Sequence, residues 1–186
     1  MAKKKNPYVT FLPEDAEKYI SVYWKYYISL ENEFNKIYSN SNINKYDEVR
    51  LYLAIGSEID VVFKTICQLF NSAYDGDNIN DHKSEIQKYI DDEDWDDYHE
   101  EIQCKSGAVF KPWDNTSWWT DYNNVKHKRS CIDKKGDLYF SHANKSNIMN
   151  ALAALYILER GLFVYMEGYL FYDYSEMHNC RSSIFQ

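Results

Sequence analysis

The sequence predicts an all-α fold, a single-domain bundle of four or five helices. Three observations lead there. The 186 residues are enough to bury a core, yet they include only 6 Gly and 3 Pro, so few residues interrupt helices. Apolar side chains recur three and four residues apart along three long stretches. No internal repeat or interdomain linker divides the chain, so residues 1–186 read as one unit with residues 1–12 as a flexible arm.

The first helix is expected after Pro13, a residue suited to a first helical turn. Tyr19, Tyr23, Tyr26, Leu30, Phe34 and Ile37 mark its apolar stripe, and the polar run from Ser39 to Asn42 ends it. The second helix carries Tyr52, Ile55, Ile59, Val62, Ile66 and Leu69 in strict three-four alternation, a narrow seam suited to bundle packing or to a dimer interface. Gly56 interrupts it at a cost of about 1 kcal/mol relative to Ala, which a close backbone approach would offset. After the turn Asp75–Asn78, Asn80 or Asp81 is placed to cap a short helix with Ile86, Tyr89 and Ile90. Residues 104–115, with Gly107 and Pro112, read as loop or a short hairpin. Thr116 or Ser117 caps a helix through Arg129, and Asp133–Asp137 is a further turn. The last long helix carries Ile148, Leu152, Leu155, Leu158, Leu162, Tyr165 and Tyr169; apolar on more than one face, it belongs at the centre of the bundle.

A net charge of −8 argues against broad binding to nucleic acid or to an anionic membrane. The charge is nevertheless segregated. Lys126, Lys128, Arg129, Lys134 and Lys135 share ten residues with a single acid, Asp133, whereas residues 91–97 are five aspartates and one glutamate interrupted only by Trp95. That acidic run reads as a solvated face, or as a contact for a basic protein partner. Cys67, Cys104, Cys131 and Cys180 form no paired spacing, so neither a zinc site nor a disulfide framework is expected. The lysines at positions 3–5 have no apolar run behind them, and Asn150, Glu159, Arg160 and Glu167 interrupt the most apolar segment. These features imply a cytoplasmic protein with no membrane span.

The residues that carry chemistry cluster between Trp118 and Arg129. On a helix Asn123, Lys126 and His127 share one face, which brings an amide, an ammonium and an imidazole together. There is no phosphate-binding glycine loop, nucleophile elbow or zinc-protease helix, which counts against those enzyme classes. The run Tyr122-Asn123-x-x-Lys126-His127-x-Arg129, set between two long helices and a final apolar one, resembles the HEPN superfamily (higher eukaryotes and prokaryotes nucleotide-binding). These all-α bundles are common among toxins, abortive-infection proteins of phage defence and CRISPR-associated ribonucleases. The family pattern is an Arg, a polar residue, three variable residues and a His. Asn123 and His127 match it, while Tyr122 stands where the Arg would be, a departure that puts catalysis in question.

The resemblance implies metal-independent endoribonuclease chemistry with no cofactor, often at a cleft between two protomers of a homodimer. A ribose 2′-hydroxyl attacks the adjacent phosphorus and leaves a cyclic phosphate. His127 would be the acid or base, Asn123 the orienting amide, and Lys126, Lys128 and Arg129 the contacts to phosphate. Tyr122, or Glu58 from the second helix, would support the site, Glu58 by standing against Lys126 or His127. The same residues have plainer uses. A Lys-His-Lys-Arg run suits a solvated helix C-terminus, Asn123 suits a surface, and Trp118, Trp119 and Tyr122 suit a core. His82, His99 and His142 read as structural or exposed. The alternatives are a non-catalytic module that binds a nucleotide, RNA or a protein, and an antitoxin-like or assembly protein that uses the Ile59/Ile66 seam.

Overall fold

The computed structural model describes residue 18 and residues 20–88, 101–170 and 181–186. The N-terminal arm, the Pro13 start, Tyr19, Tyr89, Ile90, the acidic run, His99 and Cys180 lie outside the described residues. The described chain is mostly helical, with a single two-stranded sheet. Among the described residues five α-helices follow one another: α1 (Lys25–Tyr38), α2 (Lys45–Phe70), α3 (Ile79–Ile86), α4 (Ser117–Lys128) and α5 (Lys145–Leu170). A π-helical turn, Ile20–Trp24, leads into α1, and a 3₁₀ turn, Tyr139–His142, leads into α5.

The first stripe departs from the expected one at its N-terminal end. Leu30, Phe34 and Ile37 are buried as their spacing predicts, but Trp24 and Tyr27 take the inward positions, Tyr23 is half-buried and Tyr26 is exposed. Tyr27, three residues before Leu30, continues the α1 stripe that Tyr26 misses, whereas Tyr23 and Trp24 lie in the wider π turn.

Helix α2 starts at Asn44, whose side chain accepts the Tyr46 N–H. It touches every other α-helix, and its contact with α5 is the most extensive in the molecule. Its expected seam is buried at Tyr52, Ile55, Ile59, Val62 and Ile66, but Leu51, Phe63, Cys67 and Phe70 are buried as well. The narrow seam is therefore a broad internal face. Ile59 and Ile66 are covered by the chain itself, which removes them as a surface for assembly. On α5 nearly every side chain from Ile148 to Leu158 is buried, so the last helix is central. No described helix is long and apolar enough to cross a membrane.

Shorter elements set the frame of the site. Asn78, rather than Asn80 or Asp81, caps α3 by accepting the N–H groups of Asn80 and Asp81. Residues 102–110 form the hairpin β1 (Ile102–Gln103) and β2 (Val109–Phe110), turned by Gly107 at φ +91°. The C-terminal residues dock beside it, with Gln186 N donating to Gln103 O and Phe185 bridging Cys104. Glu31 of α1 holds this segment: its buried carboxylate accepts from the Tyr27 hydroxyl, from the Ser182 and Ser183 hydroxyls and from the Ser183 and Ile184 N–H groups. Cys67 and Cys104 are buried free thiols and Cys131 is an exposed one.

Candidate nucleic-acid interface

Helix α4 has two unlike faces. Trp118, Tyr122 and Val125 point inward. Trp118 donates from Nε1 to Pro112 O at 2.8 Å, and its own carbonyl accepts the Tyr52 hydroxyl. Trp119 is partly buried and stacks at a tilt on Tyr122, ring centroids 4.8 Å apart. Both tryptophans thus serve packing. Tyr122 is only 1% exposed and lies flat over Gly56 of α2. A Cβ on Gly56 would overlap that ring, 2.6 Å from Cζ. The glycine in α2 is the close approach that lets α4 dock.

Burial raises the Tyr122 hydroxyl above its ordinary pKa, with Asp60 adding to the rise and Lys126 opposing it. Lys126 Nζ sits over the same ring, 5.3 Å from its centroid. Asp60 is the carboxylate that feels Lys126; burial raises its pKa and Lys126 partly lowers it. Glu58, two residues earlier, projects from another side of α2. Burial raises its pKa, and its charge acts on Tyr26 and Glu159. Positions two apart on a helix lie about 200° apart, so Asp60 takes the position that the sequence reading assigned to Glu58.

Asn123 is half-buried, and its amide donates back to Trp119 O at 3.1 Å, one turn earlier. Its oxygen keeps its outward capacity. Beyond it the last turn opens to solvent: Lys126, His127, Lys128 and Arg129 are exposed. The side chains of His127, Lys128 and Arg129 make no hydrogen bond or ion pair with another described residue. Three basic residues in this turn complement the negative end of the helix dipole.

The segment after α4 folds back beside it as a short hairpin. Ile132 pairs with Leu138, Gly136 turns at φ +93°, and Asp133 Oδ1 accepts the N–H groups of Lys135 and Asp137. His142 closes it. Its Nδ1 donates to Asp121 Oδ1 at 2.6 Å and its Nε2 donates to Asp133 Oδ2 at 3.1 Å. Acceptors on both sides require both ring nitrogens to carry hydrogen, hence an imidazolium. Burial lowers the His142 pKa, but the hydrogen bonds and charges of the two aspartates outweigh it and the net shift is upward. Asp133 is held below its ordinary pKa by the Asp137 N–H first, then by Lys135 and His142. Asn147 Nδ2 fills the other Asp121 oxygen at 2.9 Å. Asp121, Asp133 and Asn147 escaped the sequence reading, because partners nine to 26 residues apart leave no local pattern.

This network decides the local electrostatics. Asp121 and Asp133, acids beside the basic turn, are taken up by His142, Asn147 and backbone N–H groups. The cations Lys128, Arg129, Lys134 and Lys135 stay in water. Among the described residues no cluster of three or more potential metal ligands forms. No family model, curated protein or solved structure matches this chain.

Proposed function

We propose that this protein is a HEPN-like RNA-acting protein of a toxin or phage-defence type, which holds RNA phosphates on the exposed last turn of α4. The observation that carries this reading is the contrast among histidines. His82 is buried and lies 2.7 Å from the Tyr74 hydroxyl, His142 is locked between two aspartates, and His127 alone among the described histidines is exposed with its ring nitrogens unengaged. It stands in a turn of unpaired cations, where a phosphate would be drawn.

In the catalytic form of this reading His127 moves the proton of the 2′-hydroxyl or of the leaving 5′-oxygen. Lys128 and Arg129 stabilise the charge that grows on phosphorus. Asn123 offers its free carbonyl oxygen as the orienting group. Lys126 has a smaller part than its spacing suggests, since it leans over Tyr122 and feels Asp60. A second copy of the chain would wall the open surface into a cleft.

The non-catalytic form, RNA binding alone, is favoured by one specific observation. Tyr122 occupies the family's Arg position and is buried against Gly56, so no cation enters from there. The two forms separate on one gel. Purified protein is incubated with total RNA in EDTA, wild type beside His127→Ala. Cleavage that leaves cyclic-phosphate ends and disappears in the variant supports catalysis. Binding by both proteins without cleavage selects the module, and neither binding nor cleavage refutes the RNA reading.

A further inference from the structure

We infer that the ligand of this surface is single-stranded RNA, and that Tyr46 is the platform on which one of its bases stacks. This rests on the RNA reading above and adds the form of the RNA. Tyr46, in the first turn of α2, is 74% exposed, the most exposed large apolar side chain among the described residues. Lone exposed aromatics are ordinary; its position is what matters. The Tyr46 ring meets Phe140 edge-on, centroids 5.3 Å apart. Phe140 N in turn donates to Arg129 O at 3.1 Å. The mostly bare Tyr46 ring thus rests on Phe140, whose backbone is hydrogen-bonded to the backbone of Arg129 at the end of the basic turn.

The platform is also rigid. Asn44 caps the turn that bears Tyr46. Lys45, next to it, is bound to Glu48 at 2.9 Å, to Ser141 O at 3.1 Å and to Ala143 O, which rivets the start of α2 to the 3₁₀ turn. Of the two acids that follow Tyr46, Glu48 is paired with Lys45 and accepts the Tyr38 hydroxyl, and Asp47 faces Arg50 at 3.5 Å. A fixed aromatic beside cations is the arrangement that grips a single strand: phosphates follow the charge and a base covers the ring. A base inside a duplex is already stacked and paired, so it has no face to give to Tyr46. Lys134 and Lys135, exposed on the hairpin that follows Arg129, add cations for a backbone longer than one nucleotide.

The test is fluorescence anisotropy with two labelled RNAs of equal phosphate number, a 2′-O-methyl oligouridylate and a fully paired 2′-O-methyl hairpin. The methyl group removes the attacking hydroxyl, so both probes survive a nuclease. Wild type should bind the single strand more tightly than the hairpin. Tyr46→Ala should weaken single-strand binding about tenfold and leave hairpin binding unchanged, while Tyr46→Phe keeps the preference. Melting curves of the variants should match wild type, since the side chain is exposed. If Tyr46→Ala binds both probes like wild type while Lys128→Ala with Arg129→Ala weakens both, the stacking inference falls and the phosphate reading stands. If Tyr46→Ala weakens both probes equally, the inference falls too. If wild type binds neither probe, both readings fall together.

Discussion

The two faces of α4 are built from adjacent residues and are committed in opposite ways. On the inner face every large group is engaged: Trp118 is hydrogen-bonded at its indole and at its carbonyl, and Tyr122 is seated on Gly56. On the outer face His127, Lys128 and Arg129 reach into water, while the neighbouring Asp121 and Asp133 are bonded to His142 and Asn147 rather than to these cations. The first face is committed to packing, and the second is the one proposed to hold a ligand. The contrast is in partners: the inner groups are engaged within the chain, and the outer cations are left without one among the described residues.

Changes on the inner face should break the fold. Trp118→Ala leaves a large cavity and an unsatisfied Pro112 carbonyl, and should cost about 3–5 kcal/mol in urea unfolding. Gly56→Ala is the sharper probe of how α4 docks. It gains about 1 kcal/mol of helix propensity, but the overlap with Tyr122 should turn this into a net loss of about 1–3 kcal/mol. Adding Tyr122→Leu should recover part of that loss, a coupling that separate defects would not show.

Among the described residues two buried side chains break the rule that buried polar groups are satisfied, the Trp113 indole N–H and, at far greater cost, the Glu159 carboxyl. Glu31 has five donors, whereas neither carboxylate oxygen of the fully buried Glu159 has a hydrogen-bond partner. Burial, then the charge of Glu58, raise the Glu159 pKa well above normal. Its folded pKa lies above the unfolded value, so its contribution to stability is fully present below about pH 4.3 and is lost as pH rises through the folded pKa. Glu159→Met should therefore stabilise the protein by about 1–3 kcal/mol at pH 7, and should flatten the decline in stability on the alkaline side.

The hairpin pin should respond to pH with a smaller amplitude. His142 has a raised folded pKa, so its contribution is complete below about pH 6.5 and is lost as pH climbs through the folded value. Asp133 is depressed, so its part is present above about pH 3.9 and is lost as pH falls through its lower folded value. The window of greatest hold is therefore mildly acidic. His142→Gln should melt below wild type at pH 5.5 and close to it at pH 9; an equal gap at both pH values would mean that the ring acts by packing alone.

Helix positions and much of the core were legible in the sequence because they rest on local periodicity. Leu30, Phe34 and Ile37, the Tyr52-to-Ile66 series and the central last helix follow directly from it. The reading failed where periodicity changes or where partners are distant. In the π turn Trp24 rather than Tyr23 is buried, and on α1 it is Tyr27, three before Leu30, rather than Tyr26. The extra buried residues of α2 come from neighbours on every side, which its own pattern does not encode. For the candidate site, spacing showed which residues share a turn of α4. It did not show that Lys126 folds over Tyr122, that Asp60 rather than Glu58 lies beside it, or that His142 disarms the neighbouring acids.

The claim that the outer face of α4 is an RNA phosphate site is tested most directly by the salt dependence of binding in Lys128→Ala with Arg129→Ala, beside wild type. Each phosphate contact to a single strand contributes about 0.7 to the slope of log affinity against log salt. Loss of two contacts should reduce that slope by about 1.4, weaken binding at every salt concentration, and change unfolding stability by less than about 0.5 kcal/mol. An unchanged slope with unchanged affinity would contradict the claim, as would a loss of binding that merely follows a loss of folding.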